Sequence, residues 1–180
     1  MRTAVLVVDV QRGLVEGEAA VPDADTFVAG LAAFLERARL DGVPIVHLQD
    51  EGTAPDSPIR RGTEGWELAL AVGSGEVVLS KSDDDGFRGT GLHDTLQARG
   101  ADRLIVVGIQ SEMCVAATAR GALDRGYTVV MPREGHTTYD VPDDDAGGPA
   151  VPAALVARVA EWSLGDAVEL PQTLDDVTWS

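Results

Sequence analysis

Arg103-Leu-Ile-Val-Val-Gly-Ile-Gln-Ser-Glu-Met-Cys114 decides the fold. Leu104 to Val107 are β-branched or aliphatic with no polar alternation, the mark of a strand buried on both faces. Residues 112–125 follow with helical spacing, Ser111 as candidate N-cap and Gly126 as the stop. A second apolar run at 128–131 ends at Pro132. Strand, helix and strand in that order, both strands apolar throughout, predict a parallel βαβ unit.

The same alternation extends outward in both directions. Strands are predicted at residues 3–8, at 43–48 with Pro44 near its start, at 77–80 and at 167–170. A helix over 26–40 places Phe27, Leu31, Phe34, Leu35 and Ala38 on one face. Further helices span 92–99, between Thr90 as cap and Gly100 as stop, and 151–162. The prediction is one α/β domain over residues 1–180, a three-layer α/β/α arrangement with a mostly parallel sheet of about six strands. Residues 49–76 are rich in Gly and Pro and read as a surface excursion bordering a site. The tail 171–180, with Trp179, reads either as frayed or as packed on a second subunit.

Charge narrows the function classes. The chain of 180 residues carries a formal −16, split evenly at −8 per half, with no basic patch to meet a phosphate backbone. A nucleic-acid partner is therefore not expected, and an even acidic surface mainly favours solubility. The first apolar run stops at Asp9, too short for a signal peptide or a membrane span, and a single thiol fits a cytoplasmic setting. Thirteen of the fourteen basic residues are Arg; Lys81 is the one lysine and Cys114 the one cysteine.

In open α/β sheets, ligands bind beyond the carboxyl ends of the strands. Asp9 follows the first predicted strand, Lys81 follows the one at 77–80, and Cys114 sits just past the one at 103–107. The three are chemically coherent. A thiol attacks a carbonyl as thiolate, and a helix N-terminus favours that form. Asp9 can accept the proton and return it to a leaving amine. Lys81, a compact three-donor cation, can hold Asp9 ionised. The backbone N–H of Cys114 is a candidate oxyanion donor, for which Ser111 as N-cap would compete.

Three segments, Leu6-Val-Val-Asp9-Val-Gln11, Lys81-Ser-Asp-Asp-Asp-Gly-Phe87 and Val107-Gly-Ile-Gln-Ser-Glu-Met-Cys114-Val-Ala-Ala-Thr-Ala, resemble the isochorismatase-like cysteine hydrolases in order and spacing. The resemblance runs from the first strand to about Tyr139. It implies an α/β/α fold, an Asp9–Lys81–Cys114 triad, a cis peptide at Ile109–Gln110, and an oxyanion hole from the N–H groups of Gln110 and Cys114. It further implies hydrolysis of C–N bonds in small amides and carbamoyl compounds through a thioester, with no cofactor, in a homodimer or higher homo-oligomer. Gln11, Trp66, Phe87, His136 and Tyr139 are the expected substrate-binding residues. The nicotinamidases of this family carry Asp-x-His and a further His as a metal site. Here the region reads His47-Leu-Gln-Asp50-Glu-Gly, so no metal is expected.

Other readings attach to the same residues. Trp66 and Phe87 could be core aromatics. The runs at 83–85 and 143–145 read as solvated loops, and the first would discourage anionic substrates. A receiver domain wants an acidic pair beside the first strand, and none flanks Asp9. Two rivals share the fold: a vinyl-ether hydrolase of the isochorismate type, and a ligand-binding or redox-responsive protein with Cys114 as sensor.

Overall fold

The computed structural model describes residues 1–179. Its centre is β1 (Thr3–Val8), in which all six residues are buried. Along β1, Ala4, Leu6 and Val8 face one apolar layer while Val5 and Val7 face the other. This period of two, with both faces apolar, is what a strand covered by helices on each side requires. Beside it run β2 (Ile45–Asp50) and β4 (Arg103–Ile109), and outside these β3 (Val77–Lys81) and β5 (Thr128–Val130). β7 (Val168–Glu169) closes one edge, and β6 (His136–Thr137) pairs with the end of β4.

The sheet has seven strands rather than about six, in the order β3-β2-β1-β4-β5-β7, and every pairing between named strands is parallel. The added strand, β6, is two residues long, too short to leave a periodic trace. Its neighbour β4 lies in register with β1 from Thr3 opposite Arg103 to Val8 opposite Gly108. Gly108 has φ +135°, and a Cβ there would collide with the Val8 carbonyl oxygen. Only glycine lets these two strand ends come so close.

α2 (Ala24–Leu40) lies on one face, burying Leu31, Phe34, Leu35 and Ala38 at 3% exposure or less. Leu31, Phe34 and Leu35 each contribute about 1.5–3 kcal/mol, and the methyl of Ala38 less. The short α1 (Arg12–Val15) joins the same layer through Leu14 and Val15. The opposite face is covered by α3 (Leu92–Ala98) and α4 (Ala116–Asp124), through Leu92, Leu96, Ala116, Ala119 and Ala122. α5 (Ala153–Ser163) packs beside β6.

β2 begins and ends two residues later than its apolar run suggests. Pro44 lacks an N–H and only its carbonyl joins, accepting from the Val5 N–H at 2.8 Å, while Gln49 and Asp50 continue pairing with Ser80 and Lys81. Thr90 does not occupy the cap position of α3, which is Gly91; its hydroxyl instead donates to the Gly86 carbonyl and accepts from the Leu92 N–H. The tail packs on its own chain. The Trp179 ring lies 5.4 Å from that of Phe34, and its indole N–H donates to Asp41 at 2.6 Å. Its carbonyl accepts from Thr3 Oγ1 at 2.8 Å. Among the described residues no helix is long and apolar enough to cross a membrane.

Candidate active site

The carboxyl ends of four adjacent strands converge. Asp9, just after β1, has φ +52°, a left-handed conformation that short polar residues tolerate best. Its N–H donates to the Leu48 carbonyl at 3.0 Å, and its own carbonyl accepts from the Gln11 N–H at 2.8 Å. The chain so turns on itself immediately beyond the strand, and the Asp9 side chain is held inside the protein, 2% exposed. Lys81 is the last residue of β3, its side chain fully buried.

The Lys81 ammonium has four neighbours. Nζ lies 2.7 Å from Asp9 Oδ2, 3.0 Å from Asp50 Oδ2, 3.1 Å from the Asp83 carbonyl oxygen and 3.3 Å from Cys114 Sγ. One buried cation thereby ties the ends of β1, β2 and β3 to the thiol beyond β4. Cys114 is not in the first turn of a regular helix. It lies in a π-turn (Ser111–Val115) in which Met113 departs from helical geometry, at φ −106° and ψ −106°. α4 begins only at Ala116. The Gln110 carbonyl accepts from the N–H groups of both Met113 and Val115, and the peptide Ile109–Gln110 is cis. Ser111 does not cap the turn: its Oγ lies 2.8 Å from His136 Nδ1.

Burial sets the proton affinities. It pushes the Asp9 carboxyl up to about 6, against the opposing pull of Lys81 and of the Cys114 thiol. Burial also raises the Cys114 thiol well above its ordinary range, and the adjacent Asp9 charge raises it further. The dipole argument for a ready thiolate is thus outweighed here. For Lys81, burial works downward, but the charge and hydrogen bond of Asp9 and the charge of Asp50 hold the ammonium above its usual range. The resting arrangement near neutrality is a carboxylate–ammonium pair beside a protonated thiol.

Of the residues expected around this centre, Gln110 borders a cleft of about 540 Å³ that it shares with Leu14, Pro58, Ile59 and Tyr139. The Tyr139 hydroxyl donates to the Leu14 carbonyl at 3.4 Å. Gln11 has a different place from the one expected. It is fully buried; its amide N–H group donates to the carbonyls of Asp50 and Trp66, and its amide oxygen accepts from the Asp50 N–H. It is a brace between β1 and the 49–76 excursion, with both amide protons committed and no surface exposed to a ligand. Phe87 also differs: it is 5% exposed, stacks on Tyr127 at 5.9 Å and lies under the Arg125 guanidinium, as a core aromatic. His136 is buried behind Ser111 and kept neutral, its pKa pushed down to about 4 by burial and by Arg133. Trp66 offers its carbonyl to Gln11 and Gln49, while its indole lies against Arg61 at 5.6 Å.

Two carboxylates escaped the sequence reading. Asp50 ends β2 and holds Lys81; its place two residues past the apolar run at 43–48 was the available signal. Asp84 is exposed, and the Cys114 thiol points to its Oδ1 at 3.6 Å. No sequence pattern separates Asp84 from its neighbours Asp83 and Asp85. No group of three or more His, Cys, Asp or Glu among the described residues is arranged to hold a metal ion.

A family model described as the Isochorismatase domain matches residues 3–159. Two streptothricin hydrolases of Streptomyces noursei are 50% and 49% identical over 171 and 169 residues, each alignment covering 93% of this chain. The chain spans 67% and 61% of the length of those relatives. A maleamate amidohydrolase of Pseudomonas putida is 28% identical over 156 residues, covering 74% of this chain and 71% of the relative. The crystal structure of a cysteine hydrolase from Pseudomonas syringae pv. phaseolicola superposes with a TM-score of 0.85 at 28% identity, over 97% of this chain and 90% of that one.

Proposed function

Starting from a chain that belongs to the isochorismatase family of hydrolases, we propose a cysteine-dependent enzyme that cleaves the C–N bond of a small amide or carbamoyl compound through a thioester. The observation that carries this reading is the position of Lys81 Nζ, 2.7 Å from Asp9 Oδ2 and 3.3 Å from Cys114 Sγ. A lone half-buried cysteine such as Cys114 is by itself usually inert packing. One that shares a buried ammonium with a carboxylate of raised proton affinity has a base and a charge partner within reach.

In the proposed cycle Cys114 Sγ forms a bond to the substrate carbonyl carbon while its proton passes to Asp9. The N–H groups of Gln110 and Cys114 receive the developing oxyanion. Collapse of the tetrahedral species breaks the C–N bond, and Asp9 delivers its proton to the departing amine. Water, deprotonated by the same carboxylate, attacks the thioester and releases the acid and the thiol. Lys81 keeps Asp9 available as a carboxylate and balances charge through both steps. The acidic residues around the thiol, Asp50 and Asp84 among them, disfavour anionic substrates.

The relatives supply the first substrates to test: a streptothricin, then maleamate as an anionic comparison. Intact-mass measurement after rapid acid quench should show an acyl adduct confined to Cys114 and absent in Asp9→Asn. Turnover that persists in Cys114→Ala would reject the thioester route. Ready oxidation of Cys114 with no adduct from any amide would favour a sensor instead. A homodimer belongs to the same reading, supported by Leu155, Val159 and Trp162, which are exposed on α5 at helical spacing. Light scattering coupled to size exclusion would test it.

A further inference from the structure

The turn that carries Cys114 is fastened from behind by residues that touch no reacting atom. Ser111, its first residue, is fully buried, with Oγ 2.8 Å from His136 Nδ1. His136, at the start of β6, has a side chain wholly shielded from solvent. Its other nitrogen, Nε2, faces Glu161 Oε1 of α5 at 3.8 Å, beyond hydrogen-bond reach but close for a charge acting on a dipole. Glu161 is itself 5% exposed, flanked by Arg133 at 3.3 Å and Arg158 at 3.6 Å. Two residues beyond His136, Thr138 Oγ1 donates to Glu112 Oε1 at 2.9 Å, a second tie from the same segment to the same turn.

We propose that Glu161 and His136 are positioning residues which, through the Ser111 hydroxyl, fix the turn that presents the Cys114 thiol to Lys81 and Asp9. A neutral imidazole carries one proton, and its location is set by what each nitrogen faces. Arg133, which opposes a charged imidazole, and Arg158 both lie on Glu161 Oε2, so the charge that Nε2 faces is Oε1, and it favours the proton on Nε2. Nδ1 is then an acceptor, and the Ser111 hydroxyl must donate to it. Reversing the tautomer would make Nδ1 a donor, turn the serine hydroxyl around and leave it seeking another acceptor inside a sealed turn. A displacement of about 1 Å in a nucleophile can cost about a hundredfold in rate, so this fixed geometry bears directly on turnover. The inference rests on Cys114 being the nucleophile, but its first test does not.

That first test reads the tautomer directly. In protein labelled with ¹⁵N-histidine, whose three histidines are separable by substitution, His136 should show a protonated Nε2 and an unprotonated Nδ1. In Glu161→Gln this balance should shift toward Nδ1. A wild-type His136 protonated on Nδ1 would overturn the proposal outright. The second test measures kcat, KM and the rate of Cys114 alkylation by iodoacetamide. Ser111→Ala and His136→Leu should lower kcat by about 10- to 100-fold with KM within about twofold. Ser111→Thr and His136→Asn, which retain a donor and an acceptor, should recover most of the loss. The double variant Ser111→Ala/Glu161→Gln should be no worse than the poorer single one, because both break one unit. Equal losses for Ser111→Ala and Ser111→Thr, or additive losses in the double variant, would overturn it. If His136→Leu fails to fold, the near-isosteric Ser111→Ala and Glu161→Gln carry the test alone. Activity that persists in Cys114→Ala refutes the nucleophile while leaving the tautomer result to stand or fall separately.

Discussion

The proposed reaction should fail in acid at an unusually high pH if Asp9 is its base. A free aspartate has a pKa of 3.8, whereas burial brings Asp9 to about 6 despite the ammonium 2.7 Å away. Only the carboxylate can take the thiol proton. At pH 5, roughly one unit below the raised value, about a tenth of the molecules are competent, so kcat/KM should stand about tenfold below its plateau. An unshifted aspartate would leave more than about 90% competent at the same pH. The stability linkage runs in the same window. Below pH 3.8 both folded and unfolded chains hold the proton, and the shift has no effect. As pH rises toward 6 the unfolded aspartate ionises first, and the folded state loses about 3 kcal/mol relative to its value at low pH. The assay is a kcat/KM profile between about pH 4 and 8 with an amide that does not titrate there. Tryptophan fluorescence at each pH would confirm that the chain stays folded. An acid limb centred near pH 4, or none, would refute the assignment of Asp9 as the base.

Three further substitutions probe the framework. Lys81→Met should remove activity and destabilise by about 3–5 kcal/mol in urea, because it strands the buried Asp9 carboxylate; Lys81→Arg, with a planar fork in place of a compact ammonium, should not restore turnover. Gly108→Ala combines a positive φ with a collision at the Val8 carbonyl and should lower the unfolding free energy from denaturant titration by about 2–6 kcal/mol, together with activity, since Val8 directly precedes Asp9. Gln11→Ala breaks three hydrogen bonds to the backbones of Asp50 and Trp66; it should lower stability by about 1–3 kcal/mol and make residues 49–76 exchange amide hydrogens faster.

The converging residues were legible because a parallel sheet sends every strand end to one edge. Once the apolar runs are located, Asp9, Lys81 and the segment ending at Cys114 must meet there, whatever the loops do. What stayed hidden depends on partners far away in the chain. Gln11 beside Asp9 looks like a pocket residue until its amide is seen to close on Asp50, 39 residues on, and Trp66, 55 residues on. Phe87 looks like a pocket aromatic until Tyr127 covers it. Ser111 has the composition of a helix cap, yet a histidine 25 residues later claims its hydroxyl. Local preference proposes several uses for such polar side chains, and tertiary contacts select one. β6 follows the same logic, since two residues gain strand geometry only from the β4 edge they meet.

The tail contact between Thr3 and Trp179 has a consequence for handling the molecule. Both ends of the described chain lie at the amino edge of the sheet, since Thr3 opens β1 and Arg103, which opens β4, donates to the Thr178 carbonyl. The thiol lies beyond the opposite edge, a strand's length of about 20 Å away. A purification tag, a surface tether or an extra module fused at either end would therefore emerge on the far side from the Cys114 thiol. A short peptide joining the two ends would yield a circular permutant. New termini opened in the exposed 143–147 loop would leave the four converging strands uncut.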